Sequence, residues 1–150
     1  MTGEERGSVE YAMTVRTGAS FDVAGAVIRD ALKAHGFGVL TEIDVQATLR
    51  DKLGAVMERY VILGACNPPL AHRALQADRA VGLLLPCNVV VREGAGCTIV
   101  EALDPRAIAE IAGQPELSEV AEEAASRLRA ALAALPPEGG QRSVRPADRS

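Results

Sequence analysis

The sequence is poor in aromatic residues: 150 positions include two Tyr, two Phe and no Trp. Because unpaired bases are usually held by stacking on aromatic rings, this composition argues against a protein that binds single-stranded nucleic acid. The chain also lacks an excess of positive charge, since 20 acidic residues outnumber 16 basic ones and give a formal net charge of −4. A protein that neutralises many phosphates needs the opposite sign. We therefore expect no nucleic-acid partner.

Long apolar runs and an even set of cysteines are missing as well. No apolar stretch approaches the roughly 20 residues that cross a bilayer, and residues 1–10 contain no apolar run of the kind found in export signals. The three cysteines, Cys66, Cys87 and Cys97, are an odd number in a chain long enough to fold without disulfides. The sequence thus predicts a soluble cytoplasmic protein with reduced thiols and no membrane partner.

What the chain does contain is a series of strand and helix patterns built from Val, Leu, Ile and Ala. Alternation of apolar and polar residues predicts strands, and an apolar stripe at spacings of three and four predicts helices. The predicted strands cover residues 9–15, 37–43, 60–65, 88–92 and 97–101, and the predicted helices cover residues 21–35, 45–53, 68–77, 105–112 and 115–135. Residues 82–86 are apolar but fit neither pattern, since Pro86 interrupts a strand.

The order of these elements predicts the fold class. Residues 93–96 form a tight turn between two strands, a hairpin that a fully parallel sheet would not contain. We expect a two-layer α+β domain over residues 9–135, with a mixed or largely antiparallel sheet and helices packed on one face. Residues 136–150 are rich in Gly and Arg and have almost no large apolar residue, so they are predicted to be a disordered tail.

Three blocks of sequence carry a family resemblance. They are GFGVLTEIDV at residues 36–45, YVILGACNP at residues 60–68 and LLPCNVVV at residues 84–91. In this order and at this spacing they resemble the domain of unknown function 302 family, over roughly residues 11–112, with the last helix and the tail outside the resemblance. The resemblance implies a compact α+β fold that is commonly a dimer, and no established activity. It supplies no catalytic residue and no cofactor.

Cys66 and Cys87 are the residues most suggestive of chemistry. Cys66 directly precedes a predicted helix N-terminus, whose partial positive charge stabilises a thiolate. Cys87 follows Pro86 at the start of another predicted strand, and an asparagine follows each of the two cysteines. If the ends of these strands are adjacent, the two thiols would form a redox site.

Two other hypotheses use the same part of the sequence. Thiolates and imidazole are ligands of soft metals and haem-type groups, so Cys66, Cys87 and His72 form a possible ligand set, although no C-x-x-C pair supports it. Alternatively, the domain is a non-catalytic module in which polar side chains contact a small ligand, the candidates being Asn67, Asn88, His72 and Glu42.

A plainer interpretation stands beside these hypotheses. Cysteine is often buried as a small apolar residue, and helix capping alone accounts for Asn67. The chain would then be a structural dimerisation module. The predicted helix at residues 115–135 also favours a dimer, because a core of about 100 residues need not bury its apolar stripe. The sequence predicts a small-ligand-binding or accessory module, and it assigns neither an enzymatic reaction nor a cofactor.

Overall fold

In the computed structural model, which describes residues 11–138, five strands and five α-helices form one α+β domain. The elements follow in the order β1 (Ala12–Thr17), α1 (Phe21–Ala34), β2 (Gly38–Asp44), α2 (Val45–Leu53), β3 (Tyr60–Cys66), α3 (Pro68–Ala77), a 3-10 helix (Arg79–Leu84), β4 (Cys87–Gly94), β5 (Cys97–Leu103), α4 (Pro105–Ala112) and α5 (Leu117–Leu132). Val9 and Glu10, which were predicted to begin the first strand, lie outside the described residues.

The strands form one sheet in the order β1-β5-β4-β3-β2, and every neighbouring pair is antiparallel. This arrangement confirms the predicted α+β class and the predicted hairpin between β4 and β5. Gly96 has a φ of +72° in the turn of that hairpin, a conformation that glycine adopts without a steric penalty. The two edges of the sheet are β1 and β2.

Local capping sets the helix boundaries close to where the sequence predicts them. The side chain of Asp44 accepts a hydrogen bond from Ala47 N at 2.9 Å and begins α2, and Ser20, Asn67 and Asp104 begin α1, α3 and α4 in the same way. Such caps satisfy backbone N–H groups that have no partner within the helix.

The main core lies between one face of the sheet and the helices α1 and α5. Apolar side chains that alternate along β3, β4 and β5 pack against the apolar stripes of these two helices, and the largest fully buried members include Ile28, Leu63 and Leu128. Eight residues of α5 are buried within this chain. The helix therefore completes the core of its own domain, which removes one reason for expecting a dimer partner.

The segment after α5 packs against β1 at the edge of the sheet. The Thr17 hydroxyl donates a hydrogen bond to the Pro136 carbonyl at 2.6 Å, Thr17 forms a β-bridge with Pro137, and Arg16 pairs with Glu138 at 3.1 Å. Residues 136–138, the first three of the predicted tail, thus make contacts with β1. Residues 139–150 of the predicted tail lie outside the described residues.

No helix within residues 11–138 has both the length and the apolarity needed to span a bilayer.

Candidate functional site

A cavity of about 410 Å³ lies where one end of the sheet meets α3, the 3-10 helix, α4 and α5. A second cluster of buried apolar side chains surrounds it, separate from the main core. The wall is made chiefly by side chains such as Leu70, Val81, Ile108 and Val120. Its volume falls within the range of about 300–1,000 Å³ that is typical of small-molecule pockets.

Small side chains on the facing helices leave this space open. Each of the three surrounding helices contributes alanines to the wall: Ala71 and Ala74 from α3, Ala109 from α4, and Ala121 and Ala124 from α5. Sequence reasoning missed the contribution of α4 and α5. The sequence did carry a signal, because the inward-facing residues of these helices include several alanines. Alanine side chains are too short to fill the space between neighbouring helices.

The polar atoms of the lining side chains are few. They belong to Thr41, Asn67 and the thiols of Cys66 and Cys87. A ligand in this cavity would therefore contact mostly hydrocarbon, with polar groups at the middle of β2, the end of β3 and the start of β4.

The structure brings Cys66 and Cys87 to the same cavity. Ala65 on β3 lies directly opposite Cys87 on β4, so Cys66 is the next residue along the neighbouring strand. Both thiols are free. Burial, and secondarily the adjacent Cys66, raises the pKa of the Cys87 thiol to about 11, which keeps it protonated at neutral pH.

Asn67 lies at the junction of β3, α3 and the cavity. Its side-chain oxygen Oδ1 accepts a hydrogen bond from Leu70 N at 3.1 Å, and this bond caps α3 as the sequence predicts. The residue is only 8% exposed. Helix capping explains the oxygen of this amide but not its nitrogen.

The structure does not bring the other candidate ligand residues to the cavity. Asn88 is exposed on β4, and His72 is exposed on α3. Glu42 forms an ion pair with Arg29 at 2.8 Å near the β2 edge of the sheet. Within residues 11–138, no group of three or more His, Cys, Asp or Glu side chains is arranged to hold a metal ion.

Two sets of charged residues lie on the helices around the cavity. Glu123 on α5 pairs with Arg127 at 3.1 Å and with Arg73 of α3 at 3.3 Å, and the hydrogen bond from Arg127 is the main cause that lowers the pKa of Glu123. Asp104 caps α4, and a hydrogen bond from the Arg106 side chain is the main cause that lowers the pKa of Asp104.

Comparison with known proteins places this architecture in a family. A family model described as "Domain of unknown function DUF302" matches residues 12–135. The match includes α5 and so extends beyond residue 112, where the resemblance was expected to end. The solved structure of an uncharacterized conserved protein DUF302 from Bacillus stearothermophilus is 31% identical in sequence, with a TM-score of 0.80. The alignment covers 85% of this chain and 99% of that chain. No curated protein matches the sequence.

Proposed function

Because the chain belongs to the DUF302 family, whose description assigns no activity, we propose its function from the cavity: the domain binds a small, mostly apolar molecule there. The observation that carries this proposal is a space of about 410 Å³ with an almost entirely apolar wall. Protein interiors are normally packed to the density of organic crystals, with few voids larger than a water molecule. A space of this size and character is better suited to a ligand than to packing.

Apolar burial supplies the affinity in this proposal. Each methylene group transferred from water into an apolar site contributes about 0.8 kcal/mol. A chain of about eight carbons would gain about 6 kcal/mol, which exceeds the lower estimates, about 4 kcal/mol, for its lost translational and rotational freedom. This reading differs from the small polar ligand that the sequence suggests, because Asn88, His72 and Glu42 lie away from the cavity.

Titration of the protein with octan-1-ol, monitored by isothermal calorimetry, tests the proposal. The wild-type protein is expected to bind, and Ala109→Leu, which places a larger side chain in the wall, is expected to bind at least tenfold more weakly. Ala107→Leu is the matched control, because it makes the same change on α4 at a residue that does not line the cavity. Absence of binding to the wild type, or equal binding by Ala109→Leu, would contradict the proposal.

A thiol site is a second candidate, favoured by the position of Cys66 and Cys87 on one cavity. Cys66 is partly exposed whereas Cys87 is buried and protonated, so the two thiols are suited to different roles, with Cys66 as the reactive group. Alkylation of the native protein with iodoacetamide at neutral pH, followed by mass spectrometry, should modify Cys66 well before Cys87. If all three cysteines react only after unfolding, the thiol site is excluded.

The domain also forms a homodimer in this proposal, through β2 and α2. Several large apolar residues of this region are exposed, among them Leu40, Ile43, Leu53 and Val56. None of the α2 residues is buried. An edge strand with exposed apolar side chains is a natural site for pairing with another chain.

A cytoplasmic location completes the proposal. It is supported by three cysteines that carry free thiols, which persist in a reducing compartment. In intact cells, a membrane-impermeant maleimide should leave these thiols unlabelled until the cells are lysed.

A further inference from the structure

The amide nitrogen of Asn67 is a buried donor without a partner. Because Leu70 N donates to Oδ1, the amide oxygen must face α3 and the nitrogen Nδ2 must face the opposite way. The residue lines the cavity and is 8% exposed, yet among residues 11–138 no acceptor forms a hydrogen bond with Nδ2. Buried polar groups are nearly always paired. The geometry therefore calls for an acceptor that the chain itself does not provide.

A second donor lies beside the first, and a glycine makes room for both. A Cβ built on Gly36 would lie 2.9 Å from Asn67 Nδ2 and 3.3 Å from Arg127 Nη1. Any other residue at position 36 would also be strained, since Gly36 has a φ of +91°. Because Gly36 has no side chain, the amide of Asn67 and the guanidinium of Arg127 can both approach its Cα. Phe37, the next residue, and Asn67 itself both line the cavity, whereas Gly36 and Arg127 lie outside its lining.

Arg127 retains a donor for a ligand after its contacts within the chain. Its Nε and Nη2 donate to Glu123 at 3.3 and 3.1 Å, and its Nη1 makes one long hydrogen bond, at 3.4 Å, to the His35 carbonyl. Each Nη atom carries two hydrogens, so Nη1 has a second one to donate. Arg73 pairs with Glu123 and with Glu119, so Arg127 shares the Glu123 carboxylate with a second guanidinium and does not have it to itself.

From these contacts we propose that the ligand is an aliphatic carboxylic acid, with its chain in the cavity and its carboxylate held beside Gly36 by Asn67 and Arg127. A carboxylate matches the two donors because it offers two oxygens and the charge that a guanidinium prefers. The N-terminus of α3 adds no donor, since Pro68 and Pro69 have no N–H and that of Leu70 is bonded to Asn67. This inference rests on the proposed binding of an apolar molecule and adds a headgroup to it.

Calorimetric titration with octanoate and with octan-1-ol at neutral pH tests the headgroup, because the two probes share an apolar chain and differ at its end. The wild-type protein is expected to bind octanoate at least tenfold more tightly than octan-1-ol. Asn67→Asp keeps the oxygen that caps α3 but replaces the donor with a second oxygen, so it should abolish this preference. Arg127→Gln, on the exposed surface of α5, should also abolish it while octan-1-ol binding stays unchanged.

Arg129→Gln is the matched control, because it removes the same charge from an exposed position of the same helix. It should keep the wild-type preference for octanoate. Equal affinity of the wild-type protein for the two probes, or a preference that survives Arg127→Gln, would overturn the carboxylate subsite and leave apolar binding in place. Binding of neither probe would remove the proposed function, and this inference with it.

Discussion

The Cys87 thiol shows how burial changes the chemistry of one side chain. Its pKa is raised from an ordinary value of 9.0 to about 11, chiefly by burial. Between these two values the unfolded chain has lost the thiol proton while the folded chain retains it, so stability falls as the pH rises. We expect a loss of roughly 2–3 kcal/mol from this group across that range. Urea unfolding at a series of alkaline pH values measures it.

The comparison that isolates this effect is between two alanine variants. Cys87→Ala removes the group, so its stability should depend less steeply on alkaline pH than that of the wild type. Cys97→Ala removes a thiol from the start of β5 and should keep the wild-type slope. Identical slopes for the wild type and Cys87→Ala would show that Cys87 is not the group that titrates.

Asp104 gives the opposite pH dependence. Its carboxylate accepts hydrogen bonds from Arg106 N at 2.9 Å and from Arg106 Nη2 at 2.7 Å, and the side-chain bond is the main cause that lowers its pKa below the ordinary value of 3.8. The stabilising contribution is therefore complete above that value and is lost as the pH falls through the lowered pKa. We expect Asp104→Ala to reduce the free energy of unfolding at neutral pH by about 1–2 kcal/mol.

Denaturant unfolding at neutral and at strongly acidic pH tests this expectation. The loss of unfolding free energy in Asp104→Ala should shrink as the pH falls from 3.8 through the lowered pKa, because the unfolded wild-type chain takes up this proton before the folded carboxylate does. Asp44→Ala is the control, since Asp44 caps α2 at an exposed position through Ala47 N alone. Asp44→Ala should lose less free energy of unfolding at neutral pH than Asp104→Ala. A deficit of Asp104→Ala that is the same at every pH would mean that the ion pair contributes nothing.

Single residues also mark the limit of what the sequence could predict. The caps Ser20, Asp44 and Asn67 act on backbone groups three positions away, so their roles follow from local sequence. The ion pair between Arg29 and Glu42 and the approach of Arg127 to Gly36 join separate elements. The sequence around those residues does not predict such contacts.

At the scale of elements, the sequence located α5 correctly but did not predict that its apolar stripe is buried within the same chain. Its apolar stripe predicts a packed helix, and the structure buries that stripe against its own domain. The 3-10 helix at Arg79–Leu84 was missed, because six residues with one glycine are too few to show a helical period. Val81 and Gly82 of this helix line part of the cavity, so that part of the wall was missed together with the element.

Truncation of the α5 core tests the role of this helix. Leu128 is 0% exposed and packs in the main core, so Leu128→Ala should reduce the free energy of unfolding by about 2–5 kcal/mol. Ser126→Ala, at an exposed position of α5, should change it by no more than about 0.5 kcal/mol. Urea unfolding measures both values. If Leu128→Ala altered the oligomeric state but left the stability unchanged, α5 would belong to a subunit interface.

At the scale of the whole molecule, the fold class followed from the sequence because a hairpin and alternating strands suffice to exclude a parallel sheet. The cavity did not follow. Its wall combines residues from β2, β3, α3, the 3-10 helix, α4 and α5, and only the tertiary arrangement decides that they meet. Of the candidates, the fold brings Cys66, Cys87 and Asn67 to the cavity. Cys66 was selected because it precedes a predicted helix N-terminus, and Cys87 because it lies at the start of a predicted strand.

Oligomeric state is the remaining property of the whole molecule. The two sheet edges differ: residues 136–138 cover β1, whereas no described segment covers β2. Beside β2, Leu53 is 75% exposed and Val56 is 97% exposed. Burying such side chains between two subunits contributes about 1.5–3 kcal/mol each. We expect light scattering after size exclusion, at micromolar concentration, to give twice the 15.7 kDa mass of one chain.

The double variant Leu53→Asp and Val56→Asp should raise the dimer dissociation constant at least about a hundredfold, because charges would replace the apolar contacts of the interface. Leu83→Asp is the matched control, since Leu83 is 88% exposed on the 3-10 helix, away from α2. A monomeric wild type would exclude the dimer. A dimer that survives the double variant and dissociates in Leu83→Asp would place the interface at the 3-10 helix instead of at β2 and α2.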